Sequence, residues 1–281
     1  MKMRTGTKIV IYTLLILWAL VVLFPMYWAA TTSFKQKSDV FQGPYYIPWV
    51  DYEPTTRWWK EVFTTEWSQV QRPLVNSLIV ALISSALATY IGMMGAYGLT
   101  RFTFKPGPLR NRDILLWIVS NRMMPPIVVA IGVFIMFHWV NLTDTRLGLI
   151  LIYLMFNLPL AVWIMRNFLS QIPLTLEEAA QVDGASRWQM FSKVVVPMTW
   201  PSLTATFLIC LMFAWNEFLF ALILTFSESR TIPILIASQH FQRGPQWWDI
   251  SVLLIIAIAP MIIITISLQR FLIKGLVPQN K

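Results

Sequence analysis

Residues 173–201 read PLTLEEAAQVDGASRWQMFSKVVVPMTWP, an acidic, alanine-rich and glycine-interrupted stretch between two strongly apolar segments. Thr175 followed by Glu178 has the spacing of a capping box, in which the hydroxyl accepts from the third backbone N–H and the carboxylate accepts from the cap's own N–H. That spacing predicts a helix that begins near Leu176 and runs through Val182. Asp183 and Gly184 end it, because glycine takes the left-handed conformation at a helix C-terminus without steric penalty. Ser186 followed by Gln189 repeats the capping pattern and predicts a second helix from Arg187 to about Val196. Pro197 and Pro201 then lead into the next apolar run. The stretch reads as a polar helix–turn–helix elbow.

The chain around this elbow is built for lipid. It has 281 residues, 57% hydrophobic and only 12% charged, where soluble domains carry about a quarter charged. A spanning helix needs about 20 mainly apolar residues, and six candidates satisfy this: 9–30, 74–99, 114–137, 147–165, 201–225 and 251–273. Helices meet the bilayer's demand that every backbone polar group be satisfied internally. The expected fold is therefore an all-α integral membrane protein, residues 1–281 forming one transmembrane domain with the elbow, 173–201, between spans four and five. Lys2, Arg4 and Lys8 precede the first span, as in a signal peptide, but the apolar run is too long and no small-x-small cleavage site follows. It reads as a retained anchor.

The charges orient the spans. With the N-terminus inside, the inner segments hold Lys2, Arg4, Lys8, Arg101, Lys105, Arg110, Arg112, Arg166, Arg187, Lys193, Arg270, Lys274 and Lys281 against Asp113, Glu177, Glu178 and Asp183. The outer segments carry eight basic and eight acidic residues. The positive-inside rule then places both termini and the elbow in the cytoplasm. The whole net charge of +9 is thus topological, and nucleic acid is not an expected partner. Cys210 is the sole cysteine, and His138 and His240 lie in different segments, so neither a disulfide nor a metal site is expected. No HExxH, GxSxG or GxxxxGK[ST] pattern occurs. The chain is not expected to be an enzyme or to bind ATP and Mg itself.

The first elbow helix has a small outer face, Ala179 and Ala180, flanked by Glu177 and Glu178, which could anchor a basic group on a partner. Such a surface suits seating in a groove of another protein. Here the sequence resembles the EAA loop of ATP-binding-cassette importer permeases, the binding-protein-dependent inner membrane components. The matching residues are Glu178, Ala179, Ala180, Gly184 and Pro197, with Asp183, Ala185 and Phe191 also fitting. Residues 141–153 (NLTDTRLGLILIY) and 214–224 (AWNEFLFALIL) are similar to the carbohydrate-uptake, MalG-like branch, while NRMMPP at 121–126 is closer to some polyol permeases. The usual Ile-x-Leu-Pro stands here as Val194-Val195-Val196-Pro197. The resemblance implies a six-span type I importer permease in a bacterial inner membrane. It further implies that the first elbow helix, Glu177 through Ala185 with its turn, couples to ATPase subunits. The implied partners are a second, MalF-like permease, two ATP-binding subunits that hold ATP and Mg, an extracytoplasmic solute-binding protein, and a sugar or polyol as cargo.

Within the spans, ionisable residues are costly and mark cavities or partners. Glu217, beside Asn216, is the clearest. These two would accept hydroxyls of a solute in the pathway, with Phe213 and Phe220 offering aromatic faces and Asn121 a further polar group. A buried interspan pair is the competing reading, with Arg122 neutralising Glu217 across the bundle. An ion-coupled secondary transporter using Glu217 as a relay is the alternative function, although no paired broken-helix repeat supports it. Pro125 and Pro126 should kink span three. Ala88, Gly92 and Ala96 form a small-residue face for close helix packing. The loop 35–73 holds Trp49, Trp58, Trp59 and Trp67, which read as an interfacial belt or a docking surface.

Overall fold

The computed structural model describes residues 5–104, 109–243 and 246–276, and these are overwhelmingly helical. Lys2, Arg4, Lys105 and Lys281 of the charge pattern lie outside the described residues. Among the described residues, four helices are long and apolar enough to cross a membrane: α1 (Thr5–Thr32), α4 (Trp67–Arg101), α7 (Arg146–Leu169) and α14 (Trp247–Leu276). Counting each of two bent pairs as one span raises the number to six. Between them run α2 (Lys37–Gln42), α3 (Arg57–Thr64), α5 (Asn111–Ser120), α6 (Pro126–Trp139), α8 (Thr175–Val182), α9 (Arg187–Gln189), α10 (Val196–Met198), α11 (Trp200–Trp215), α12 (Leu219–Leu224) and α13 (Ile232–Arg243).

The chain divides into two compact units. One comprises the residues up to Gln71 with Leu235–Pro260, and the other Arg72–Ile234 with the chain from Met261 on. In the first, Trp58 is not an interfacial side chain. It is 4% exposed, donates from its indole to the Lys35 carbonyl at 2.8 Å and packs 5.3 Å from Trp248. Trp49, by contrast, is 83% exposed.

The second unit is held by apolar contacts among α4, α6, α7, α11 and α12, around Val80, Phe137, Leu149, Ile152, Leu211 and Phe220. A second cluster, Met93, Ala96, Val162, Met165, Leu169, Phe191 and Val195, joins α4 and α7 to the elbow. The small-residue face does what its spacing predicts. A Cβ built on Gly92 would lie 2.6 Å from the Ala161 Cβ and 3.1 Å from α7 backbone, so α4 and α7 meet backbone to backbone there.

Neither span three nor span five is a continuous helix; the sequence anticipated an interruption only in span three. At span three, α5 and its 3-10 turn Asn121–Met123 meet α6 at 88°. Met124 and Pro125 each precede a proline and are held extended, at φ −71, ψ 128 and φ −58, ψ 127. The following ring sterically excludes the helical conformation from the residue before it. Pro126 then starts α6, where its missing N–H costs nothing. The sequence pointed to a kink; two successive prolines make a right angle. Span five stops at Trp215 and restarts at Leu219, and its entry from the elbow is bent by 76°.

The turn from α6 to α7 is locked to the segment after α12 by one carboxylate. Asp144, at φ 54, donates its N–H to the Leu224 carbonyl at 2.7 Å. Its side chain accepts from the backbone N–H groups of Phe226, Ser227, Glu228 and Ser229 at 3.0–3.1 Å, and from the hydroxyls of Ser227 and Ser229. Nearby, Arg146 donates to Asn76, whose amide donates to the carbonyls of Glu228 and Arg230. Partial burial pushes the Asp144 pKa up, but the N–H bonds from Ser229, Phe226 and Ser227 outweigh it and hold the carboxyl below its ordinary range.

Two outcomes follow from these contacts. Gly92→Val inserts atoms where none fit. Overpacking of this kind costs about 1–3 kcal/mol, so the detergent-solubilised variant should unfold at a lower temperature; an unchanged midpoint would mean the crossing has slack. A carboxyl with a depressed folded pKa stabilises above the ordinary carboxylate value of about 4 and gives up that stability as pH falls through its own lower value. Asp144→Asn should therefore be less stable than wild type at neutral pH, with the difference closing in acid. A difference independent of pH would rule out the charged carboxylate as its source.

Candidate functional site

The two breaks open onto one cavity of about 400 Å³, lined by Arg122, Pro126, Tyr153, Phe156, Asn157, Phe213, Ala214, Asn216, Glu217, Phe218, Leu219 and Phe220. The proline break aims Arg122 inward: its guanidinium donates to the Phe156 carbonyl at 2.6 Å and sits 4.4 Å from the centre of the Phe213 ring. The second break supplies Asn216 and Glu217. The Glu217 carboxylate accepts from the N–H groups of Phe220 at 2.8 Å and Ala221 at 3.2 Å, so it caps the first turn of α12. Asn216 donates back to the Met212 carbonyl. The Tyr153 hydroxyl faces the Glu217 carboxylate without a hydrogen bond of standard geometry.

Arg122 and Glu217 thus share a cavity but form no ion pair among the described residues. The competing reading of mutual neutralisation gives way to separate backbone partners, a carbonyl for the cation and two N–H groups for the anion. Of the residues singled out from sequence, Asn216, Glu217, Phe213 and Phe220 come together here. Asn121 does not. It is exposed, donates to the Trp117 carbonyl at 2.8 Å and lines an adjoining, more apolar cavity of about 490 Å³ that shares Arg122 and Phe156. Tyr153 and Phe156 were not foreseen. They stand on the same face of α7 as Asn157, and that polar–aromatic spacing was the available signal.

The elbow follows its expected outline. Gly184 has φ +82; its N–H reaches the Gln181 carbonyl and that of Ala185 reaches Ala180, each at 3.0 Å. These two bonds are the glycine-terminated helix end that the sequence predicts. Ser186 and Gln189 exchange both bonds of a capping box. The first box does not form. Leu174 already has helical angles, φ −63, ψ −28, and makes no side-chain cap; its carbonyl takes the N–H groups of Glu177 and Glu178. A hydroxyl cap needs an extended cap residue, and here the helix starts one residue early. The second helix passes into a π-helical turn, Met190–Val195, before α10.

The two acids part company. Glu178 is exposed beside Ala179, Gln181, Val182 and Asp183, with Ala180 and Ala185 half-buried. Glu177 is 7% exposed and bound by Arg101 at 2.7 Å and the Tyr97 hydroxyl at 2.8 Å. Both of its oxygens are engaged within the chain. It is not presented to a basic group on another protein, as the sequence had suggested for both acids.

Known proteins resemble this chain in sequence and in fold. Residues 88–277 match the family model "Binding-protein-dependent transport system inner membrane component". The chain is 34% identical over 258 residues to the probable ABC transporter permease protein y4oR of Sinorhizobium fredii, covering 92% of this chain and 90% of the relative. It is 30% identical to the trehalose/maltose transport system permease protein MalG of Thermococcus litoralis, covering 93% and 92%. Its fold matches a chain of a bacterial ABC transporter involved in import of the acidic polysaccharide alginate, with a TM-score of 0.69 and 22% identity over 96% of this chain and 98% of that one.

The capping role of Glu217 gives an ordered series. Losing a helix cap costs about 0.5–2 kcal/mol. Glu217→Ala should lower the thermal midpoint, and Glu217→Gln, which keeps an acceptor oxygen, should lower it less. Equal midpoints for Glu217→Ala and wild type would remove the carboxylate from the cap.

Proposed function

Because this chain belongs to the binding-protein-dependent transport system inner membrane component family, we propose that it is a permease subunit of an ATP-driven importer, forming half of the translocation pathway for a sugar or polyol. The observation that carries this reading is the elbow: a short helix, turned by Gly184, that leaves Glu178, Ala179, Gln181 and Val182 uncovered. An exposed small-residue face on a rigidly ended helix suits insertion into a cleft, here that of a cytoplasmic ATPase subunit. Both termini lie on the same side as the elbow, as the distribution of Lys and Arg favours. A second permease completes the pathway, two ATP-binding subunits supply ATP and Mg, and an extracytoplasmic binding protein delivers the solute.

The cavity suits a neutral polyhydroxyl cargo. Its lining combines the polar residues Asn216, Asn157, Glu217 and Arg122 with Phe156, Phe213 and Phe220. Hydroxyls want acceptors, and the apolar faces of sugar rings want aromatic ones. The relatives named for trehalose and maltose point to the same class of solute. An ion-coupled relay through Glu217 gains no support, since that carboxylate is committed to α12.

The test uses the tagged chain purified with its partners and reconstituted in vesicles. ATP inside should drive uptake of a sugar or polyol only when the binding protein is present outside. Gly184→Val forces a β-branched residue into the left-handed region, where an L-residue costs about 1–2 kcal/mol. It should insert in the membrane yet uncouple ATP hydrolysis from uptake, while Gly184→Asn should retain part of the coupling. Uptake unaffected by Gly184→Val would remove the elbow from coupling, and purification without any nucleotide-hydrolysing subunit would sink the importer reading.

A further inference from the structure

We propose that Glu177, Arg101 and Tyr97 form a clasp that fixes α8 to the end of α4, so that displacement of α8 moves α4 with it. Arg101 and Tyr97 are then positioning residues of the transport cycle. The inference rests on the importer reading above, and goes beyond it in naming the link by which the elbow grips the membrane-spanning part.

Glu177 is the buried residue of α8. The other residues of that helix are exposed or half-buried, so α8 is not held by a continuous apolar face. Its carboxylate is held at two points. The Arg101 Nε meets Oε1 at 2.7 Å and the Tyr97 hydroxyl meets Oε2 at 2.8 Å. Tyr97 and Arg101 are four residues apart on α4 and therefore share a face. Two-point attachment resists both sliding and rotation of α8. Arg101 also donates from Nη2 to the Ile172 carbonyl at 3.0 Å, which ties down the linker that leads into α8.

The environment makes the clasp stiff. Both side chains of the ion pair are nearly buried, at 8% and 9% exposure. The exposed pair Arg72–Glu228 has side chains at 51% and 61%, where water and salt weaken the attraction. Separating charges that are already out of water leaves each uncompensated. A pull on α8 therefore meets less resistance by carrying α4 along than by breaking the pair. The Tyr97 ring packs 5.1 Å from Phe191, on the π-helical turn, and 6.0 Å from Phe102. One turn and more back along α4, Gly92 lies backbone to backbone with α7, so a shift of α4 is passed on to α7 without slack. Adjacent acids thus divide the work: Glu178 faces out and Glu177 anchors inward.

The complete transporter in vesicles is measured for solute taken up per ATP hydrolysed. Glu177→Gln and Arg101→Met should lower this ratio roughly tenfold or more, with Arg101→Lys recovering part of it and Tyr97→Phe losing less. A ratio unchanged in both variants overturns the clasp. So does a parallel fall of assembly, hydrolysis and uptake that preserves the ratio, because a merely structural pair would do that. Spin labels at Thr175 on α8 and Met94 on α4 give an independent measure. The wild type should show one narrow distance that broadens in Glu177→Gln; an equally narrow distance in the variant overturns the proposal. If the wild-type complex takes up no solute on ATP, the importer reading fails, and the spin-label distances decide the clasp by themselves.

Discussion

In hydrocarbon no water can satisfy a freed N–H or C=O, so each interruption of an apolar helix must bring its own partner. Much of the second unit follows from that constraint. At the Met124–Pro126 break the prolines have no N–H to satisfy, and Arg122 is aimed at the Phe156 carbonyl. At the Asn216–Phe218 break the Glu217 carboxylate takes two N–H groups of the restarting helix. Outside the spans the same economy recurs, and where α12 ends Asp144 collects the N–H groups of residues 226–229. An intramembrane carboxylate and guanidinium that would be prohibitive in isolation are each tied to backbone dipoles.

The cavity is a by-product of the same two breaks. A continuous span three would carry Arg122 past the position it now holds against Phe213, and a continuous span five would leave no turn for Asn216 and Glu217 to occupy. The polar groups that line the space are therefore also those that make the interruptions tolerable. On the proposed reading, stability and cargo recognition fall to the same side chains. Substitutions at Glu217 act on α12 before they act on any solute, and a change in uptake there has to be read beside a measurement of folding.

The elbow faces the opposite problem, since it lies in a polar stretch that must hold shape while leaving one face free. Its ends are closed locally, by the left-handed Gly184 and by the reciprocal bonds of Ser186 and Gln189. Its hold on the bundle combines the packing of Phe191 and Val195 with the buried Glu177–Arg101 pair. The apolar contacts give the π-helical turn a seat, while the ion pair gives α8 a direction.

What the sequence alone determined were the features set by neighbours in the chain. The apolar runs, the Gly184 turn, the Ser186–Gln189 box and the small face around Gly92 each depend on a few adjacent residues, and each is present. The sequence left undecided what depends on packing between distant segments. Thr175 and Glu178 had the spacing of a cap, but Leu174 joined the helix and took the bonds first. Arg122 and Glu217 had opposite charges in spans three and five, yet each is bonded to backbone groups instead. Glu177 and Glu178 are chemically identical and adjacent, and only the approach of Arg101 and Tyr97 from a helix some 76 residues away in sequence sorts one inward. Trp58 could be read as a membrane-surface residue until Trp248 came to lie against it. Short-range hydrogen bonds and sterics are written in local order, whereas the choice among several chemically adequate partners is made by whichever one the folded chain brings within reach.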